Sequence, residues 1–190
     1  MRRFSFGPSL VVKGRKFKGL RGYAGKPFHP PLTDVPITAY LFGAVFDVLS
    51  LVLHDSHQQL ATELFRAGTW VFVGGAVVSV LAALTGWADW HRSSQPGTQA
   101  RRTINAHAII MITVTVLTLV DLAIRLGNND DAYTSAGLTV LSVVIALGVS
   151  TGATYGGSLV YDYGFNVETA GDSPVWHENE VDVYPGAKSG

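Results

Sequence analysis

The sequence has no cysteine among its 190 residues. That excludes disulfides, zinc–thiolate sites, cysteine-ligated iron–sulfur clusters and thiol catalysis, and it leaves the redox compartment unreadable from thiols. Charge is scarce too. Asp, Glu, Lys and Arg make up 15% of the chain, against about 25% in an average soluble domain. There is no Gly-rich phosphate loop ending in Gly-Lys-Ser/Thr, no His-Glu-x-x-His and no Gly-x-Ser-x-Gly. Hydrolase and nucleotide chemistry therefore have no residues to carry them, and a redox role is the one activity left open.

What the chain has instead is four long apolar stretches, Pro36 to Leu53, Trp70 to Trp87, Ile104 to Ile124 and Leu138 to Val160. Each approaches or exceeds the ~20 residues that a helix needs to cross a bilayer core. The fold class read from this pattern is an all-α polytopic membrane protein, a four-transmembrane-helix bundle. Thr33 and Asp34 are placed to cap the first helix, with Pro36 in its first turn. The second helix is expected to start near Trp70, after a polar gap at 55–69, and tryptophans at both its ends suit an interfacial aromatic belt. Pro96-Gly97 breaks the chain before the third helix, and Gly127-Asn128-Asn129-Asp130-Asp131 makes a tight polar turn before the fourth.

The net charge of zero hides a segregation. Residues 1–32 hold eight basic groups and no acid, and residues 161–190 hold six acids and only Lys188. Three domains follow: a basic arm at 1–32, a transmembrane domain at 33–160 and an acidic tail at 161–190. The gap at 91–103 has three Arg, whereas 55–69 has only Arg66 and 127–134 has none. The positive-inside rule then puts both termini in the cytoplasm of a multi-pass protein of the bacterial inner membrane. No cleavable signal peptide is visible, so the first helix itself directs insertion. A basic arm tethered beside a membrane is attracted to anionic headgroups, at roughly 1 kcal/mol per residue, and nucleic acid is not expected as a partner.

Ionisable residues inside a membrane are costly, roughly 2.5–3.5 kcal/mol at a helix centre. Asp47 and Asp121 both fall roughly 20–25 Å from the cytoplasmic ends of their helices, at 1.5 Å per residue. Arg125 follows Asp121 by four residues and can pair with it on one helix face. Asp47 then needs hydroxyl partners from neighbouring helices, and the sharper alternative is a proton-accepting pair or cation site. Three histidines gather at the opposite level: His29 before helix 1, His91 after helix 2 and His107 one turn inside helix 3. Imidazole is a usual axial ligand for haem. His107 with His29 or His91 is therefore the candidate cofactor site, for haem b or a quinone headgroup. The plain alternative is that His107 bonds a carbonyl or Asp89 across the bundle. No pair has the spacing along two helices that a di-haem cytochrome needs. Gly148, Gly152 and Gly156 form a smooth groove on helix 4, where another helix can approach closely.

Three segments resemble one family of bacterial membrane proteins, DUF 2231. They are Pro27-Phe28-His29-Pro30-Pro31-Leu32-Thr33-Asp34-Val35-Pro36 leading into helix 1, Thr85-Gly86-Trp87-Ala88-Asp89-Trp90 closing helix 2, and Gly156-Gly157-Ser158-Leu159-Val160-Tyr161-Asp162-Tyr163-Gly164 closing helix 4. His107 is similar to a family position. The resemblance covers roughly residues 27–166 and implies four transmembrane helices. Some relatives are joined to Rieske-type iron–sulfur domains, which implies an electron-transfer setting. Because this chain has no cysteine, any such redox partner is another chain. The family carries no established activity to transfer. His29, Asp89, His107 and Tyr161 are expected in one layer.

Two functional readings stand on the sequence: an accessory or scaffold subunit of a membrane complex, and a haem- or quinone-binding electron-transfer protein. Transport through Asp47 and Asp121 is weaker, since four helices are few and no inverted repeat is visible. The oppositely charged arm and tail share one side in this topology and are expected to pair. Cross-linking of Lys13 or Lys16 to the tail should therefore be seen at low salt and weaken at high salt. No cross-link at low salt would count against the pairing.

Overall fold

In the computed structural model, residues 19–22 and 26–167 are described. Most of the basic arm, the tail beyond Val167, and the expected arm–tail pairing lie outside the described residues. Those described form four α-helices: α1 His29–Leu53, α2 Gln58–Ser93, α3 Gln99–Gly127 and α4 Ala136–Tyr161. All four are long and apolar enough to cross a membrane.

Three helix starts differ from the sequence reading; α3 begins at Gln99, inside the expected gap at 91–103, rather than near Ile104. Helix α1 begins at His29, not at Thr33-Asp34, and Pro36 lies inside it rather than in its first turn. Proline in the first turn removes only N–H groups that have no intrahelical partner there, so the Pro30-Pro31 pair opens the helix instead of preceding it. Helix α2 begins at Gln58, so most of the expected gap at 55–69 is helical and the α1–α2 turn is only residues 54–57. The apolar run had marked the lipid-facing portion, not the helix. At 1.5 Å per residue α2 is ~54 Å long, well beyond the ~30 Å hydrocarbon core. Trp70 and Trp87 are both about two-thirds exposed, at 66% and 65%, and their separation along α2 is roughly 25 Å. That spacing suits two interfacial belts. The first three turns of α2, with Glu63 and Arg66 exposed, extend past the Trp70 level.

The turns carry ordinary signals. Gly97 takes a positive φ of 80° between α2 and α3. The Thr98 side chain accepts from the Arg101 N–H at 3.1 Å, and Ser135 accepts from Leu138 at 3.3 Å to start α4. Each hydroxyl satisfies an N–H that the first turn leaves free.

The helices close a ring in chain order. Helix α1 packs most extensively on α2, and α3 on α4; α1–α4 is intermediate and α2–α3 the thinnest seam. Among the described residues the diagonal pairs do not meet along their backbones. The axis is filled by Tyr40, Phe72, Val114, Leu122, Ile145 and Val149. Polarity is inverted relative to a water-soluble domain. Val52, Leu84, Ile109, Val140 and Leu147 face outward, while Asp47, Ser50, Thr69, Ser79, Thr118, Asp121, Arg125 and Ser142 are buried. In hydrocarbon a polar group has no water to bond, so it must find its partners inside the protein.

Small residues let the backbones close. A Cβ on Gly75 would come within 2.8 Å of Ala39 and Tyr40, one on Gly43 would strike the Phe72 ring, and one on Gly74 would meet nothing within 4 Å. Tyr40 and Phe72 stack between these glycines at 5.5 Å. Gly75→Ala should therefore lower stability by roughly 1–3 kcal/mol, the usual cost of overpacking. Gly74→Ala should leave it unchanged. Thermal unfolding in detergent micelles reads both, and equal effects would refute the packing account.

Candidate functional site

Polar side chains gather at both ends of the bundle. At the end where α1 starts and α4 finishes, His29 is the first residue of α1 and His107 lies about two turns inside α3. His29 Nδ1 lies 2.9 Å from the Ala82 carbonyl and 3.2 Å from Thr85 Oγ1 on α2. The Thr85 hydroxyl itself donates to the Leu81 and Ala82 carbonyls. Gly86 makes room for the imidazole, since a Cβ there would sit 2.8 Å from His29 Cε1. On the other hairpin, His107 Nδ1 lies 2.8 Å from the Gly152 carbonyl, and a Cβ on Gly156 would meet the His107 ring at 3.3 Å. Each histidine thus joins the two helices of its own hairpin. His107 is close enough for its charge to be felt at His29.

A carbonyl oxygen only accepts hydrogen bonds. Nδ1 of both rings must therefore carry the proton, which leaves each Nε2 with a free lone pair. Metal-ligating histidines show this same outer arrangement, with the non-ligating N–H donated to a carbonyl or carboxylate. Among the described residues no group of three or more His, Cys, Asp or Glu could hold a metal ion. Two imidazoles suit an iron that brings its equatorial ligands with it, as haem iron does.

The other residues of the expected layer separate. His91 is exposed and stacks on Trp87 at 5.9 Å. Asp89 is buried and accepts from the Leu20 N–H at 3.3 Å and from the Asn166 side chain. It ties the segment before α1 to the segment after α4, so both described ends lie at this end of the bundle. Tyr161 points outward, 87% exposed. Trp90 donates to Asn105 Oδ1 at 2.8 Å and carries the Arg101 guanidinium over its ring at 3.7 Å. Arg101 also donates to the Trp90 carbonyl and to Ser94 Oγ.

Leu20 apart, the residues that make these contacts fall within 25–169, where the chain matches the family described as "Predicted membrane protein (DUF2231)". The chain belongs to the DUF2231 family. No curated protein and no solved structure matches it.

In this DUF2231 chain the opposite end holds a buried charge cluster. Asp47, Asp121 and Arg125 have no exposed surface at all, 0% each. Arg125 Nε donates to Asp121 Oδ2 on its own helix, and its two terminal nitrogens donate to the two oxygens of Asp47 on α1. The guanidinium lies against the rings of Phe72, at 4.7 Å, and Phe65, at 5.8 Å, both on α2. Thr134 Oγ1 donates to Asp47 Oδ1 at 3.1 Å, and its N–H donates to Ser50 Oγ at 3.0 Å. The Ser50 hydroxyl continues to the Ala61 carbonyl at 2.8 Å. The i, i+4 spacing announced the Asp121–Arg125 pair. The second carboxylate on Arg125, and the role of Thr134, have no local signal.

Gly148, Gly152 and Gly156 all face α3, against Val114, Met111 and His107 in turn. Gly152 serves twice, since its carbonyl also holds His107. Replacing Arg125 by Leu would leave two buried carboxyls without their shared donor. A loss of roughly 3–5 kcal/mol is expected, the usual cost of removing one side of a buried ion pair. Unfolding in detergent by heat or SDS measures it, and a loss below 1 kcal/mol would show that the cluster does not hold this end together.

Proposed function

We propose that this chain is an accessory subunit of a membrane electron-transfer complex and holds one haem b through His29 and His107. The observation that carries this reading is the matched pair of imidazoles. Each is fixed through Nδ1 to a main-chain carbonyl, each is packed against a glycine, and among the described residues Nε2 of each has no hydrogen-bond partner. Bundle-core cofactors are held by side chains on facing helices at one depth, and α1 and α3 face each other across the axis. A bound haem would supply one-electron chemistry. The protein's own part is to fix the ring orientation and tautomer, and to shield the site with α2 and α4.

Sidedness supports a setting in the bacterial cytoplasmic membrane with the histidine end inside. Arg92, Arg101 and Arg102 surround the α2–α3 turn at that end, as the positive-inside rule requires. The basic arm and acidic tail, on the same side, are the surfaces through which other subunits would dock.

The test is an absorption spectrum of the full chain purified in mild detergent. A Soret band is expected that shifts on reduction and is lost in His107→Ala and His29→Ala, while His91→Ala retains it. Circular dichroism checks that the variants keep their helices. A colourless, iron-free protein overturns the haem reading and leaves a scaffold without a cofactor. Quinone recovered by solvent extraction from such a colourless protein would overturn it in favour of a quinone site.

A further inference from the structure

The charge cluster at the far end is not balanced. With all three groups ionised, Asp47 and Asp121 bring two negative charges against one positive charge on Arg125. An uncompensated buried charge is expensive, and a carboxyl in that position takes up a proton instead. The geometry says where. Both oxygens of Asp47 are bonded to Arg125, and Oδ1 also accepts from Thr134. Asp121 uses only Oδ2. Its Oδ1 is fully buried and, among the described residues, has no partner. Thr118 Oγ1, three residues back on the same helix face, is also buried, and among the described residues its polar neighbour is the Tyr40 hydroxyl, which bonds Ser79. A proton on Asp121 turns an orphan acceptor into a donor, with a hydroxyl one turn away to receive it.

The cluster also lies beside an entry. Asp47 packs on Gly68 and Arg125 on Phe72, which puts the cluster at the Trp70 level, the edge of the hydrocarbon. Just beyond it a cavity of about 430 Å³ is open to the outside and is lined by Leu51, His54, Asp131, Tyr133 and Ser135, among others. The neighbours of Ser50 and Thr134 therefore line the cavity. Thr134, between the lining residues Tyr133 and Ser135 in the chain, bonds both Ser50 and Asp47.

We propose that the Asp47–Arg125–Asp121 cluster is a proton-binding site that holds one proton on Asp121 and exchanges it through this cavity, with Thr134 as the plug. Among the described residues, few other titratable groups face the cluster. From α1 there are Tyr40, whose hydroxyl bonds Ser79 at 2.7 Å, and His54, which stacks on Tyr133 in the cavity and pairs with Asp55. The turn adds Asp131. Helix α2 faces it with Phe65, Gly68 and Phe72, since Glu63 and Arg66 are exposed. The α4 side chains buried near this end include the hydroxyls of Thr139 and Ser142.

Infrared difference spectra of the full chain in detergent test this at neutral pH. The wild type should show a protonated-carboxyl C=O band that moves down in D₂O. Asp121→Asn should lose it. Asp47→Asn should lose it as well, because one carboxylate then has the guanidinium to itself and releases the proton. Asp89→Asn, at the other end, should retain it. Thr134→Ala should speed the D₂O shift several-fold. Wild-type and Asp121→Asn spectra that agree in this region would overturn the proposal. A band that persists in Asp47→Asn, or a signal that follows sodium concentration rather than D₂O, would do the same. An unchanged exchange rate in Thr134→Ala would overturn the route.

Discussion

The Arg125 guanidinium closes one end of the bundle. Among the described residues it is the one cation buried there, its nitrogens reach carboxylates on two helices, and its flat face rests on two phenylalanines of a third. In an apolar surround none of these groups can turn to water instead, so each fixes the others. Thr134 and Ser50 extend the same network into the α3–α4 turn and the start of α2. All four helices are thereby oriented at that end: α1 by Asp47, α2 by the rings and Ala61, α3 by Asp121, and α4 through the turn that leads into it. The planar fork of arginine suits this joint, because a lysine ammonium cannot meet two carboxylates in fixed directions.

The other end is organised by a different rule. There, two imidazoles bond main-chain carbonyls one hairpin at a time, and the carbonyls are reachable because glycines stand beside them. A side chain that bonds a helical carbonyl takes little from the helix, since a carbonyl oxygen has a second lone pair. The histidines therefore strengthen the hairpins without disrupting them, and each keeps one nitrogen for another partner. Between the polar networks at the two ends lie Phe72, Val114, Ile145 and Val149, with the buried Tyr40–Ser79 hydrogen bond among them.

Much of this was legible in the residues. Four apolar runs implied four spanning helices, the i, i+4 spacing implied Asp121–Arg125, and the Gly148–Gly152–Gly156 row implied close approach by a neighbour. The helix starts were not legible. Hydropathy reports which residues meet lipid, whereas helix α2 runs on through Gln58 to Thr69 with polar residues that lie beyond it. Pro30 and Pro31 looked like a lead-in because proline usually ends regular structure, but its missing N–H costs nothing in a first turn. The Asp47–Arg125 bond spans 78 positions, and no local pattern encodes a contact at that separation. Thr134 stands next to Ser135, the helix cap, and nothing in its neighbourhood distinguishes it as the residue that seals a buried carboxylate.

The packing of α1 on α2 and of α3 on α4 bears on how the chain is made. Synthesis runs from the N-terminus, so the first hairpin enters the bilayer while Arg125 is still unmade. Asp47 must cross into lipid without its cation. An ionisable side chain without its partner is costly in lipid, and near the Trp70 level it stays close to the water boundary. The second hairpin then brings the guanidinium to Asp47, so the charge cluster closes only once both halves of the chain are in place.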